Sequence, residues 1–305
     1  MQAEIFRGGN GMNPLKKALS RESTAGIIFT LPFTVGFLLF MIVPMGISLY
    51  YSFCKYDILS PPVFTGLDNF VKMFQDETFF KAIGVTFYFA LVSVPLRLIF
   101  ALLVAMLLLK NSKMSGFYRA AYYLPSIIGG SVAVAILWKR MFATDGVINR
   151  LLGVIGIETT FAWLGNTKTA IWVLILLAVW QFGSSMLIFL SALKQISREL
   201  YEAAEVDGAN GIQKFFKITL PLLTPTIFFN LVMQMVNGFL AFTQSYIITQ
   251  GKPMNSTCSI PFICISSLVV LHGYGAALAW VMLAIIGLIT LLLFATKKFW
   301  VYEEG

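Results

Sequence analysis

Residues 201–225 read YEAAEVDGANGIQKFFKITLPLLTP and separate two long apolar runs. Unlike the runs on either side, this stretch carries charged side chains, two Gly-containing turn signals and two prolines. Asp207-Gly208 and Asn210-Gly211 are both dipeptides that favour tight turns. The pattern predicts a bent polar loop, residues 197–221, between two apolar segments.

A short helix is predicted on each side of the bend. Ser197 is a suitable N-cap for the first helix, which would end near Val206. Asn210 and Gln213 have the spacing of a capping box at the start of the second helix. The second helix carries three apolar side chains on one face, at positions i, i+3 and i+4: Ile212, Phe215 and Phe216. That face packs either against the chain's own helices or against a partner protein.

The composition assigns the whole chain to the membrane class. Of its 305 residues, 58% are hydrophobic and only 12% are charged, about half the charged fraction of ordinary soluble domains. We therefore expect a single all-α domain, residues 1–305, built as an integral membrane bundle. Six apolar windows are long enough to cross a bilayer as helices: residues 26–51, 82–109, 117–138, 169–193, 222–248 and 276–296.

Basic residues predict the orientation of these helices. The formal net charge is +8, but Lys and Arg lie mostly at the ends of the apolar windows, which indicates membrane topology rather than a nucleic-acid partner. The N-terminal segment 1–25, the second and fourth loops and the C-terminal tail hold more of them than the opposite side. The positive-inside bias therefore predicts that both termini and the loop 197–221 are cytoplasmic, in a multi-pass protein of the cell membrane.

Motifs of enzymes are absent from the sequence. Its single histidine, His272, and its three cysteines, Cys54, Cys258 and Cys264, form no metal-binding or redox spacing. No Gly-rich phosphate-binding loop with its Lys and Ser or Thr occurs. We expect a chain that is not an enzyme and holds no metal or other cofactor. If ATP drives its function, another chain binds the nucleotide.

Polar residues inside the predicted membrane helices are candidates for a substrate pathway, because lipid does not solvate them. In the fifth window Asn230, Gln234 and Asn237 lie on one helical stripe, and their amides are suited to binding sugar hydroxyls. In the fourth window Gln181 and Ser185 form a second polar cluster. Hydrogen bonds between helices are the alternative explanation for both groups.

Arg97 lies near the middle of the second window, where a cation costs about 2.5–3.5 kcal/mol to insert. No Asp or Glu lies inside any of the six windows. An anionic substrate, such as an acidic saccharide, would balance the charge of Arg97. The carbonyls of a helix C-terminus, an acid on a partner chain, and water reached by snorkelling are the other candidates.

Residues of the polar loop also form a recognisable signature: Glu202, Ala203, Ala204, Asp207, Gly208, Ala209, Phe215, Leu220 and Pro221. Further motifs lie at Gly66-Leu67-Asp68-Asn69-Phe70, Leu124-Pro125 and Trp138-Lys139-Arg140. Together they resemble the binding-protein-dependent ABC transporter permeases, whose cytoplasmic EAA motif the loop matches. Within that family the chain is most similar to the carbohydrate importers of the maltose type.

The resemblance implies a role and a set of partners. In that family the loop forms a coupling helix that docks on a separate ABC ATPase dimer, which binds ATP and Mg²⁺. The chain pairs with a homologous second permease, and a periplasmic or extracellular solute-binding protein delivers the sugar. We therefore expect a prokaryotic permease subunit that imports sugars or oligosaccharides. A secondary, ion-coupled transporter is the alternative function, and an acidic saccharide or glycerol phosphate is the alternative substrate.

Overall fold

The computed structural model describes residues 22–57, 59–109, 114–157, 160–268 and 271–302. Most of the predicted N-terminal segment 1–25 lies outside these residues. Over the described ranges the chain is helical apart from one two-stranded hairpin. The prediction of an all-α membrane bundle is therefore confirmed.

The elements follow one another from the N-terminus. The helices are α1 Glu22–Phe37, α2 Val43–Ser52, α3 Asp68–Gln75, α4 Glu77–Leu107, α5 Ser115–Ile128, α6 Val132–Met141, α7 Val147–Val154, α8 Thr167–Trp180, α9 Gly183–Leu193, α10 Arg198–Val206, α11 Gly211–Lys214, α12 Leu220–Phe239, α13 Ile260–Leu268 and α14 His272–Trp300. The antiparallel hairpin consists of β1 Cys54–Asp57 and β2 Ser60–Phe64. Turns of π-helix occupy Leu38–Ile42, Phe215–Thr219 and Ser245–Thr249.

Four continuous helical stretches are long and apolar enough to cross a membrane: Phe29–Ser52, Glu77–Leu107, Gly211–Phe239 and His272–Trp300. The first and third run straight through a π-helical turn, which joins α1 to α2 and α11 to α12. Two bent helix pairs, α5 with α6 and α8 with α9, also have sufficient apolar length. Counting each pair as one span gives six spans in the described part of the chain.

The sequence windows imply six straight helices, but the third, fourth and fifth windows are broken. The axes of α5 and α6 differ by 96°, and those of α8 and α9 by 42°. In the fifth window, 222–248, the helix ends at Phe239 and the chain turns before the π-helical segment Ser245–Thr249. A hydropathy window cannot detect such breaks, because it averages over about 19 residues and the few small or polar residues at each break hardly change the mean.

Helix α4 is the central element of the bundle. It packs against α8, α9, α12 and α13. Small residues along it, Ala90, Ala101 and Ala105, have no exposed surface, and small side chains let neighbouring helix backbones approach closely. Phe87 of α4 meets Phe239 of α12 edge to face, with ring centroids 5.1 Å apart. Residues of α4 therefore contact each of these four helices and line the space between them.

One buried amide joins the ends of three elements on the side of the hairpin. The Nδ2 atom of Asn69, in α3, donates to the carbonyl oxygens of Ser52 and Cys54 at 2.9 Å each. These carbonyls close α2 and open β1. Gly273, in the first turn of α14, lies against the same Cys54 carbonyl, at a position where a Cβ would collide with it. The first and last membrane helices thus meet at Asn69.

We predict that Asn69→Ala lowers the free energy of unfolding by about 1–3 kcal/mol, because it removes a buried donor from two carbonyls. The purified protein in detergent should unfold at a lower temperature in a thermal scan. Lys72→Ala, at an exposed position of the same helix, is the matched control and should leave the unfolding temperature unchanged. Equal shifts for the two variants would contradict the role given to Asn69.

Candidate functional sites: a polar cavity and an exposed loop

The break between α8 and α9 makes one backbone carbonyl available to side chains. The Gln181 carbonyl oxygen accepts a hydrogen bond from Nη2 of Arg97 on α4 and another from Oγ of Ser126 on α5, at 2.8 Å. The same Ser126 hydroxyl accepts from the backbone N–H of Ser184, at 3.0 Å. Arg97 and Ser126 therefore both satisfy the Gln181 carbonyl, and Ser126 also binds the backbone on the other side of the break.

Two glycines let the broken helices approach each other. A Cβ on Gly183 would lie 2.7 Å from Cα of Tyr123 and 3.0 Å from Oγ of Ser126. A Cβ on Gly129 would overlap the Gln181 side chain. Neither glycine is needed for an unusual backbone conformation. Gly183 is needed because α9 begins in backbone contact with α5, and Gly129 is needed because the Gln181 side chain lies against it.

A cavity of about 270 Å³ lies beside this break, between α4, α8 and α12. Its polar lining consists of Ser93, Arg97, Gln181, Gln234, Asn237 and Gln244. Its apolar lining includes Phe89, Val94, Leu174 and Ala241. The volume is close to the lower end of the roughly 300–1,000 Å³ range of small-ligand sites. The cavity thus combines one cation, four amide side chains and one hydroxyl with an apolar wall.

A smaller space of about 20 Å³ adjoins the cavity and shares Phe89, Leu174 and Gln244 with it. Its other polar lining comes from Thr86, Ser245, Thr257 and Ser259. Thr86 accepts from the backbone N–H of Ile260 at 2.9 Å, which fixes the start of α13 against α4. Polar side chains therefore continue from the cavity towards the segment that precedes α13.

The structure brings together four of the predicted pathway residues and separates two. Arg97, Gln181, Gln234 and Asn237 all line the cavity. Ser185 is fully buried and instead accepts a hydrogen bond from Nε2 of Gln234, at 3.1 Å. Its contribution is therefore to orient Gln234, by the interhelical hydrogen bond that was the alternative explanation.

Asn230 does not reach the cavity. It is fully buried, and its Nδ2 donates to the carbonyl of Thr226 one turn earlier in the same helix, at 3.2 Å. The predicted stripe of Asn230, Gln234 and Asn237 therefore ends before Asn230, because α12 packs against neighbouring helices there. Asn237, at the other end, is exposed and marks where the cavity opens.

Sequence reasoning missed Ser93 and Ser126. Ser93 could have been found, since it lies four residues before Arg97 and therefore on the same face of α4. Ser126 gave no local signal, because its partners Gln181 and Ser184 are more than 50 residues away and meet it only through the packing of α5 on α9.

We predict that Gly183→Ala forces α9 away from α5 and breaks the hydrogen bond between Ser126 and Ser184. The cost should be about 1–3 kcal/mol, typical of an overpacked site, and should appear as a lower unfolding temperature in detergent. Gly130→Ala is the control, because no atom lies within 4 Å of the added Cβ. An unchanged unfolding temperature for Gly183→Ala would show that the contact between α5 and α9 is loose.

The loop 197–221 folds as the short helix α10 and the first turns of the continuous helix Gly211–Phe239, with the caps predicted for it. The second predicted short helix is thus the start of a membrane helix. The Ser197 hydroxyl accepts from the backbone N–H of Glu199, at 3.3 Å. Asn210 and Gln213 form a reciprocal capping box, with both hydrogen bonds 2.9 Å long. Between them Gly208 has a φ of +75°, a left-handed conformation that favours glycine.

The two short helices are joined by polar contacts. Lys214 donates to a carboxylate oxygen of Glu205 at 2.7 Å. This hydrogen bond lowers the pKa of the Glu205 carboxyl from its usual value. The hydroxyls of Tyr201 and Thr219 are 2.8 Å apart and link α10 to the start of α12. These two contacts thus fix the orientation of α10 relative to the helix that follows the bend.

The described part of the chain leaves the apolar side chains of this loop largely uncovered. Val206, Ile212 and Phe216 are 89%, 72% and 60% exposed, while Phe215 is half-buried. Among the residues that match the signature, Glu202, Ala203, Asp207 and Gly208 are also exposed. Of the two explanations left open by the sequence, packing against the described helices of the chain itself therefore does not hold for Ile212 and Phe216, whereas Phe215 is half-covered by them.

A membrane bundle with a polar cavity between its helices and a stiff loop outside them has the architecture of a transport permease. A profile of the family described as "Binding-protein-dependent transport system inner membrane component" matches residues 23–299. The chain belongs to this family and is a permease subunit of a binding-protein-dependent transport system.

Relatives span nearly the full chain. A protein of Bacillus subtilis (strain 168), "Probable ABC transporter permease protein YesP", is 52% identical and covers 97% of this chain and 98% of its own length. "Arabinooligosaccharides transport system permease protein AraP" of the same organism is 31% identical, and the match covers 89% of this chain and 88% of AraP. One chain of a solved structure has a TM-score of 0.79 to this chain at 24% identity: "Crystal structure of bacterial alginate ABC transporter in complex with alginate pentasaccharide-bound periplasmic protein". The match covers 94% of this chain and 98% of that chain. That likeness confirms the fold.

Proposed function

We propose that this chain is one of two transmembrane subunits of an ATP-driven importer of sugars or oligosaccharides. The observation that carries the proposal is the continuous helix Gly211–Phe239, which joins the exposed loop to the polar cavity. One end of this helix presents apolar side chains to a partner, and the other end lines a space for a polar solute. A permease driven by a separate ATPase needs both a docking surface and a space for the solute.

The lining of the cavity supports a saccharide as the solute. Amide side chains both donate and accept hydrogen bonds, so Gln181, Gln234, Asn237 and Gln244 suit the many hydroxyls of a sugar. Apolar side chains such as Phe89 complement the C–H faces of a sugar ring. The names of two relatives agree with this substrate class: AraP of Bacillus subtilis, named for arabinooligosaccharides, and the 31% identical "Probable starch degradation products transport system permease protein AmyD" of Thermoanaerobacterium thermosulfurigenes.

Partners follow from the same arrangement. The exposed face of Val206, Ile212 and Phe216 would dock on a cytoplasmic ABC ATPase dimer that binds ATP and Mg²⁺, and both termini would then be cytoplasmic. The hairpin and α3, at the other end of the bundle, would face a periplasmic or extracellular solute-binding protein. A homologous second permease would close the remaining side of the cavity in the cell membrane of a prokaryote.

We predict that Ile212→Asp reduces co-purification with the ATPase at least about tenfold, because it places a charge in a desolvated apolar contact. The measurement is the amount of ATPase retained by the tagged permease complex in detergent. Val154→Asp is the matched control, since Val154 is 84% exposed and lies beyond the opposite end of the α8–α9 pair. Full retention of ATPase by Ile212→Asp would argue against the docking role of the loop.

We also predict that Asn237→Ala lowers sugar uptake about two- to tenfold, the effect of losing one hydrogen bond to substrate. The permease should still assemble with its ATPase and unfold at the same temperature, since Asn237 is exposed. Met233→Ala, one turn earlier on α12 and outside the cavity lining, should leave uptake unchanged. Normal uptake by Asn237→Ala would remove this residue from the pathway.

A further inference from the structure

The charge of Arg97 is not balanced by any acidic side chain in the described part of the chain. The cavity lining contains no Asp or Glu. The ion pairs among the described residues join Lys81 to Glu77, Arg198 to Glu202 and Lys214 to Glu205, and none involves Arg97. A guanidinium stays protonated under all ordinary conditions. The cavity therefore carries a full positive charge.

The hydrogen-bonding capacity of Arg97 is only partly used. A guanidinium has five N–H donors, and the Gln181 carbonyl accepts from Nη2. The Nε atom is buried and has no hydrogen-bond partner. A buried donor without an acceptor is costly, more so when it is charged. Arg97 lines the cavity, so the positive charge of its guanidinium acts on a ligand there, although Nε itself is buried.

The neighbours of Arg97 in the cavity are neutral and can hold hydroxyl groups. Ser93 lies one turn away on α4, and Gln181, Gln234, Asn237 and Gln244 surround the remaining space. Ser185 fixes the Gln234 amide in place from behind. One cation among neutral donors and acceptors suits a ligand with one negative charge and several hydroxyls.

Resting on the function proposed above, we infer that the cargo is an acidic saccharide and that Arg97 binds the carboxylate of a uronic acid unit. A carboxylate carries one negative charge, which matches the single cation of the cavity. A phosphate ester would carry nearly two charges and three acceptor oxygens, more than one arginine that is already bonded to Gln181 can balance. The chemistry of the site thus favours a carboxylate over a phosphate.

The inference is tested with paired saccharides that differ only at C6. Cells expressing the permease with its ATPase, partner permease and solute-binding protein receive radiolabelled uronate trimers that carry a single uronic acid unit, a galactose trimer with one galacturonate or a mannose trimer with one mannuronate. The neutral trigalactose and trimannose of the same linkages are the matched probes. Galactose 6-phosphate is added as an arm that tests a phosphate. Initial uptake rates are measured for wild type, Arg97→Gln and Arg97→Lys.

Wild type is expected to take up at least one uronate trimer faster than its neutral counterpart. Arg97→Gln should lower that uptake about tenfold to a hundredfold, the loss of a charged hydrogen bond, while any neutral sugar uptake changes less than twofold. Arg97→Lys keeps the cation and should retain more uronate uptake than Arg97→Gln. This selective loss is the result that a purely structural arginine would not produce.

Ser126→Ala is the matched structural control. It removes the second donor to the Gln181 carbonyl but leaves the charge of the cavity unchanged. If Arg97 acted only by holding the helix break, Arg97→Gln and Ser126→Ala would impair acidic and neutral saccharides in the same proportion. That result would overturn the inference, with assembly of each variant checked by co-purification of the ATPase.

The remaining outcomes separate the inference from the function on which it rests. Uptake of neutral saccharides alone, or uronate uptake that survives Arg97→Gln, would overturn the inference and leave a saccharide importer. Uptake of the sugar phosphate in preference to both trimers would replace the carboxylate with a phosphate and overturn the inference. Uptake of none of these probes by wild type would overturn the saccharide function and the inference together.

Discussion

The hydrogen bonds to the carbonyl oxygen of Gln181 fix the helix break that borders the cavity of this bundle. A helix that breaks inside a membrane frees backbone groups that lipid cannot satisfy, each at a cost of several kcal/mol. Here Arg97 and Ser126 both donate to that carbonyl, so the break between α8 and α9 is satisfied by α4 and α5. Because both donors come from other helices, the bend exists only in the packed bundle. The cavity beside it depends on the same two hydrogen bonds.

The same contact makes an arginine tolerable within the membrane-spanning helix α4. The C-terminal end of a helix carries partial negative charge, and the Gln181 carbonyl lies at the end of α8. A helix C-terminus was one of the candidates for balancing Arg97, and the structure bears it out in part. A partial charge does not neutralise a full one, however. The arginine therefore serves the fold through Nη2, while its net charge acts on the cavity that it lines.

Local features of the sequence were predictable, and features that depend on packing were not. Ser197 and Asn210 cap their helices through partners at most three residues away, so these caps follow from spacing alone. The bend at Gln181 has no proline or glycine at its centre and depends on Ser126, 55 residues away. Polar residues near the middle of a span identify candidates for a pathway. Only packing decides that Gln234 lines the cavity and Asn230 does not.

The helix from Gly211 to Phe239 connects the two sites mechanically. From Ile212 to Asn237 it spans 25 residues, or roughly 37 Å at 1.5 Å per residue. Tyr201 fastens α10 to Thr219 at the loop end of this helix, and Gln234 fastens α12 to Ser185 of α9 at the cavity end. A rigid-body movement imposed on the loop by a docked ATPase would thus reach α9, which begins directly after the bend. Because the bend is held by side chains of α4 and α5, moving α9 changes the cavity and the position of the Gln181 carbonyl together. The proposed coupling therefore needs no flexible element between the loop and the cavity, since one helix carries both.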